Sequence, residues 1–129
     1  GGLAIVLDDE AEIRELVRGY LVKAGFQVIE ASSGDEALEL LANLPKVALL
    51  VSDIMMPGPM TGIDVGRAGK KIRPETPCLL ISGLASTHPA LGEAEREFHL
   101  LKKPFGEEAF IAALDELFTD DASAVAVSA

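Results

Sequence analysis

Val47-Ala48-Leu49-Leu50-Val51-Ser52-Asp53 is the stretch on which the fold turns: five apolar residues in a row, then a hydroxyl and a carboxylate. A short run without polar alternation reads as a strand buried on both faces, as in a parallel sheet sandwiched between helices. Working outward, β-rich runs recur at 3–7, 27–30, 78–81 and 98–101, which makes five strands with the one at 47–51. Between the first two, Ile13, Leu16, Val17, Tyr20, Leu21 and Ala24 recur at helical spacing on one face, and Gly25 stands where a left-handed residue would end the helix. Ser33 with Glu36 three residues on predicts a capping box leading into Ala37, Leu38, Leu40 and Leu41. After Pro104, Glu107 and Glu108 suit the positive end of a helix dipole, and Phe110, Ile111, Leu114 and Leu117 form its apolar stripe. Residues 62–71, with Gly66 and Gly69 inside, and 86–97, with Pro89 and Gly92, predict less regular helices. Strands alternating with helices imply right-handed crossovers and a doubly wound α/β sheet.

Length and composition bound what such a fold can do. The 129 residues suffice for one domain, and 49% apolar residues are enough to fold it. A formal charge of −10 repels phosphate backbones and anionic headgroups, so direct nucleic-acid and membrane-surface binding are not expected. A single cysteine, Cys78, permits no intramolecular disulfide, and no apolar run approaches the length of a membrane span. A cytoplasmic setting is the expectation. The alanine-rich end, 119–129, reads as a tail or the start of a linker after a domain of 1–118.

In doubly wound sheets, ligands sit outside the carboxyl ends of the strands. Those ends carry Asp8 and Asp9, Asp53, Ser82 and Lys103. Three carboxylates on one rim repel one another by roughly 4 kcal/mol per close pair at an effective dielectric near 20. A cation is therefore expected among them, and hard oxygen ligands with room for water suit Mg²⁺. Asp8, Asp9 and Asp53 against Mg²⁺ and Lys103 sum to zero, leaving space for a phosphoryl group. The plainer readings are an Asp N-cap on the first helix and ordinary turn chemistry at Asp53, at Ser82-Gly83 and at Lys103-Pro104. Met56, Cys78, His88 and His99 read as core or surface residues without metal-ligand spacing.

Four motifs in order carry a resemblance: Leu7-Asp8-Asp9-Glu10, Ser52-Asp53-Ile54-Met55-Met56-Pro57-Gly58, Ile81-Ser82-Gly83 and Lys102-Lys103-Pro104-Phe105. Over 3–118 the chain resembles the receiver domains of two-component phosphorelay signalling, both free-standing response regulators and modules of hybrid histidine kinases. The resemblance implies a flavodoxin-like sheet of order 2-1-3-4-5. By the same resemblance, Asp53 is the phosphoacceptor, taking its phosphoryl group from a phosphohistidine on a histidine kinase or histidine phosphotransfer protein. Asp9 and Asp53 would ligate Mg²⁺ directly, Asp8 through water, and the Met55 carbonyl would add another oxygen. Lys103 would contact the phosphoryl group, Ser82 would be the switch hydroxyl, and Lys103-Pro104 would be cis. The chain would then be a signalling phosphoacceptor that labels itself from small donors and dephosphorylates slowly, and not a turnover enzyme. A homodimer is compatible with this reading.

Three features depart from the pattern, one being that the fourth helix, with Pro89 and Gly92, lacks the usual Gly-Ala pair near its end. Leu100 stands where many receivers carry an aromatic switch residue, with Phe98 two positions earlier as a candidate substitute, and the loop 57–62 is one residue longer than the commonest form. Alternatives are a receiver that docks partners without being phosphorylated and a Mg²⁺-dependent phosphohydrolase of the haloacid-dehalogenase type. The latter places its nucleophile after strand one with a second Asp two residues on, whereas Asp8 and Asp9 are adjacent. Flavin binding is disfavoured because two acids follow strand one where a phosphate-cradling loop would be needed.

Overall fold

Alternate residues of the strands feed two separate cores, and that alternation organises the molecule. The computed structural model describes residues 2–85 and 87–128, the side chains of 121–128 excepted. Among the described residues, β1 (Gly2–Leu7), β2 (Phe26–Ala31), β3 (Leu49–Asp53), β4 (Cys78–Ser82) and β5 (His99–Lys102) alternate with α1 (Ala11–Lys23), α2 (Gly34–Asn43), α3 (Gly62–Ile72), α4 (Pro89–Glu97) and α5 (Glu107–Ser128). All pairings are parallel and the order is β2-β1-β3-β4-β5, the expected flavodoxin-like doubly wound sheet. Ile5, Leu7, Leu50 and Leu80 face a core covered by α2, α3 and α4. Ala4, Val6, Leu49, Val51, Leu79 and Ile81 face the other, covered by α1 and α5. Because β1 pairs with β2 on one side and β3 on the other, the chain order reverses between β1 and β3, and the carboxyl ends of these strands mark the switch point at which such sheets place ligands.

Local details correct several sequence-based expectations. β3 begins at Leu49, two residues later than expected, although Val47 is buried just before it. β5 begins at His99, because Phe98 is the residue that closes α4. The buried stripe of α1 is narrower than its periodicity suggests: Val17 and Leu21 are buried, Leu16 and Ala24 are exposed. Gly25 does take the left-handed conformation after that helix, at φ 97°. Ser33 caps α2 by accepting from the Glu36 N–H at 3.2 Å, which is half of the expected box. The complete box belongs to α3, where Thr61 Oγ1 accepts from the Asp64 N–H and an Asp64 carboxylate oxygen accepts from the Thr61 N–H.

Neither glycines nor proline make α3 and α4 irregular. Pro89 occupies the first turn of α4, where its missing N–H costs nothing, so it opens that helix. Ser86 lies outside the described residues. In α3, Gly66 lies so close to Phe98 that an added Cβ would come within 2.8 Å of the ring. The close approach of helix to core offsets the propensity cost. At the other end of the chain, α5 spans the expected boundary at residue 118. Phe110, Leu114 and Leu117 form its buried stripe, and residue 129 lies outside the described residues. No described helix is long and apolar enough to cross a membrane.

Candidate functional site

The carboxyl ends of β1, β3 and β5 bring Asp8, Asp53 and Lys103 into one cluster. Asp8 follows β1 and is 1% exposed. Its N–H donates to the Ala31 carbonyl at 3.3 Å and its Oδ1 accepts from the Glu10 N–H at 2.9 Å. The Asp8 carbonyl accepts from Arg14 Nη1 at 2.6 Å. That leaves Oδ2 buried with no hydrogen-bond partner among the described residues. Capping alone does not account for this residue: α1 is preceded by Glu10, whose side chain makes no cap, and one oxygen of Asp8 remains aimed into the cluster.

Asp53 ends β3 and is 5% exposed. Its Oδ1 accepts from the Met55 N–H at 3.2 Å and its Oδ2 from Lys103 Nζ at 2.8 Å. Below it, the backbone is held by two bonds: the Ile54 N–H donates to the Ile81 carbonyl at 2.9 Å and the Gly62 N–H to the Ile54 carbonyl at 2.7 Å. Gly62 permits this approach, since a Cβ there would overlap the Asp53 carbonyl. Lys103, joined to Pro104 by the expected cis bond, donates its N–H to the Ser82 carbonyl at 2.8 Å. Its ammonium also stands 3.8 Å from Asp8 Oδ2 and 3.7 Å from Glu10 Oε1.

Every sequence-predicted site residue therefore lies at this rim, though not in one role. Asp9 is exposed and contributes a carboxylate to the cluster. Met55 is half exposed, two residues beyond the end of β3. Ser82 is buried at the end of β4, with Oγ accepting from the Leu84 N–H at 3.0 Å, so its hydroxyl is tied to the loop that follows. His88 caps α4, His99 pairs with Asp120 at 3.0 Å, and Met56 and Cys78 are core residues, as the plainer readings had it. Phe98 lies in the same core as Leu100, enclosed between Gly66 and Lys70, whose ammonium is 4.2 Å from the ring centroid. It is therefore buried packing on the α3 side.

Sequence reasoning missed Glu10 as a member of the cluster: oxygens of Asp8, Asp9, Glu10 and Asp53 lie within 4.8 Å of one another. Its place in Leu7-Asp8-Asp9-Glu10 was the available signal. With Glu10 counted, four carboxylates face one ammonium, so a divalent ion leaves the rim short of neutrality by one charge. The strain registers on Asp8, whose carboxyl is pushed up to about 6 by burial first and then by the Asp53 and Asp9 charges, against the Glu10 N–H and Lys103. Burial works against the Lys103 ammonium, but the hydrogen bond and charge of Asp53, with Asp8 and Glu10, hold its pKa above the ordinary lysine range. A buried, unpartnered carboxylate oxygen beside three further hard oxygen donors fits Mg²⁺ with water completing its shell.

Comparison with known proteins places the chain among signalling proteins. Residues 4–115 match the response regulator receiver domain family. The transcriptional regulatory protein GlrR of Escherichia coli (strain K12) is 29% identical over 121 residues, covering 93% of this chain and 27% of that protein. The response regulator SaeR of Staphylococcus aureus is 28% identical over 118 residues, covering 89% of this chain and 50% of that protein. The chain thus spans only a quarter to a half of these relatives. Among solved structures, NtrX from Brucella abortus superposes with a TM-score of 0.86 at 27% identity, covering 99% of this chain and 30% of that one. The response regulator TrrA from Thermotoga maritima, in complex with Mg(2+)-BeF, gives a TM-score of 0.78 at 25% identity over 91% of this chain and 99% of that one.

Proposed function

From the premise that this chain belongs to the response regulator receiver domain family, we propose that Asp53 is its phosphoacceptor and that the rim around it is the transfer site. The observation that carries the reading is the Asp53 carboxylate held between the Met55 N–H and the Lys103 ammonium, beside the unpartnered oxygen of Asp8. In the transfer, a carboxylate oxygen of Asp53 attacks the phosphorus of a phosphohistidine. The P–N bond breaks, the imidazole nitrogen leaves with the electron pair and takes up a proton, and an aspartyl phosphate remains. Phosphoryl transfer depends chiefly on alignment and on neutralising oxygen charge, which is what this rim supplies.

Asp9, Asp53 and the Met55 carbonyl would hold Mg²⁺, with Asp8 acting largely through water. When bound, the ion would neutralise the phosphoryl oxygens. Lys103 keeps a cation at the acceptor throughout, exchanging its contact with the carboxylate for one with the phosphoryl group. Ser82 links the modification to the loop after β4, because the hydroxyl that would donate to a phosphoryl oxygen is the one whose oxygen accepts from the Leu84 N–H. The donor is a histidine kinase or histidine phosphotransfer protein, and the setting is cytoplasmic. Output through DNA is not assigned to this acidic domain; it would belong to parts of the relatives that the chain does not match.

Incubation with acetyl phosphate and Mg²⁺ should add one phosphate, read by intact mass, that is absent in Asp53→Asn and in excess chelator. An unmodified mass, or an adduct that survives Asp53→Asn, would sink the assignment. Sustained hydrolysis of a phosphomonoester would replace it with the phosphohydrolase reading.

A further inference from the structure

We propose that Arg14 and Glu30 form a positioning brace for the cation site, setting the orientation of the Asp8–Asp9 segment without touching the ion. The inference rests on the Mg²⁺ reading above. Three of the four polar groups of Asp8 are already committed: the N–H to Ala31, Oδ1 to the Glu10 N–H and the carbonyl to Arg14. The first two bonds are made to main-chain groups. The third is made by a side chain, and it falls on the carbonyl of the peptide that joins Asp8 to Asp9. Holding that carbonyl fixes the plane of the Asp8–Asp9 peptide, hence the direction in which Asp9 leaves β1 and the position of the Glu10 N–H, whose bond to Oδ1 orients the Asp8 carboxylate.

Arg14 is itself held. Its Nε donates to Glu30 Oε1 at 3.2 Å while Nη1 reaches the Asp8 carbonyl, so the planar guanidinium spans the two acceptors with two separate N–H groups, where a lysine offers a single nitrogen. Glu30 lies near the end of β2, registered against Val6 of β1, and its other oxygen accepts from Arg18 Nη1 at 2.9 Å. The brace thus ties α1 and β2 to the turn that bears the ligands. Arg14 side-chain exposure is 19%, low enough that the contact is not a solvated surface pair.

Coulomb's law and the brace predict opposite signs. Removing a cation near a Mg²⁺ site should by charge alone tighten binding. Loss of a group that orients the ligands should weaken it, in the manner of outer-shell partners whose removal costs roughly 10–100-fold in affinity. Calorimetric titration of the metal-free protein with MgCl₂ separates the two. Arg14→Met, which keeps the aliphatic stem, should bind about tenfold more weakly, and Arg14→Lys should recover part of the loss. Glu30→Gln, which alters no proposed ligand, should weaken binding roughly threefold and add little to Arg14→Met, because both act through one contact. Labelling from acetyl phosphate should fall at low Mg²⁺ and return to the wild-type rate in excess, with urea denaturation in chelator confirming that each variant is folded. Wild-type protein that takes up no Mg²⁺ would overturn the site reading and the brace with it. Wild-type binding matched or exceeded by Arg14→Met would overturn the brace alone.

Discussion

The two faces of the sheet are packed by opposite means. Beneath α1 and α5 the core is filled by volume: Phe110 is fully buried, its ring 5.7 Å from Tyr20 and 6.0 Å from Phe105, while Phe26 stacks on Phe118 at 6.1 Å. Under α3, the opposite face is closed by the absence of volume, with Gly62 against the end of β3 and Gly66 against Phe98. There α3 is also strapped to α4 by charge. Arg67 donates to Glu93 at 2.6 Å and to Glu97, whose carboxyl its hydrogen bond holds below the usual range, and Lys70 covers Phe98 while donating to the Glu97 carbonyl at 3.1 Å. The difference teaches where the site is vulnerable. A face filled by large side chains is damaged by truncation, far from the rim. A face closed by glycines is damaged by addition, and one of its glycines supports the residue proposed to accept the phosphoryl group.

The largest expected effect breaks the first face. Phe110→Ala should cost about 3–5 kcal/mol in urea denaturation, yet leave acetyl phosphate labelling intact in whatever protein remains folded. Comparable loss of labelling per folded molecule would mean the two faces are not separable.

Next comes the rim that crowns both faces. The Asp8 carboxyl is raised from 3.8 to about 6 on folding, so between those values the folded protein binds more protons than the unfolded chain. Stability of the metal-free domain should therefore fall as pH rises through this window and stay lower above it, by up to about 3 kcal/mol. Asp8→Asn should remove the slope and raise stability at pH 7 in chelator, while weakening Mg²⁺ binding. A slope unchanged in the variant would assign the titration elsewhere.

Gly62→Ala tests the second face directly. Overpacking should cost about 1–3 kcal/mol, and displacement of the Asp53 backbone should reduce both Mg²⁺ uptake and labelling. Labelling at the wild-type rate would show that the close approach is incidental to the site. The smallest effect supplies the control: Gly19, exposed in α1 with nothing near its missing Cβ, should as Ala raise stability by roughly 0.5–1 kcal/mol and leave the site untouched.

Much of this was legible before any coordinates. The buried run before Asp53, the acids after Leu7 and the Lys103-Pro104 pair all sit where short-range pattern and strand ends coincide, so alternation and turn chemistry located them. Less legible was α3, whose glycines read as a weakness because propensity is a local quantity, whereas their value lies in contacts with Asp53 and Phe98. The Thr61–Asp64 box was readable and overlooked. Glu10 is visible in its motif, but that its carboxylate faces Lys103 depends on how the segments after β1 and β5 come together.

By itself, the order of residues determined the alternation of strands and helices, and with the four motifs it located the acidic rim, because burial of apolar runs and the charge of strand-end residues are properties of short stretches. Only tertiary structure decided that Asp8 keeps one oxygen unpartnered, that Arg14 is stretched between Asp8 and Glu30, and that Gly62 lies under Asp53. Those depend on where separate elements meet once the sheet has closed, and hydrogen-bond direction and close approach are set by that meeting.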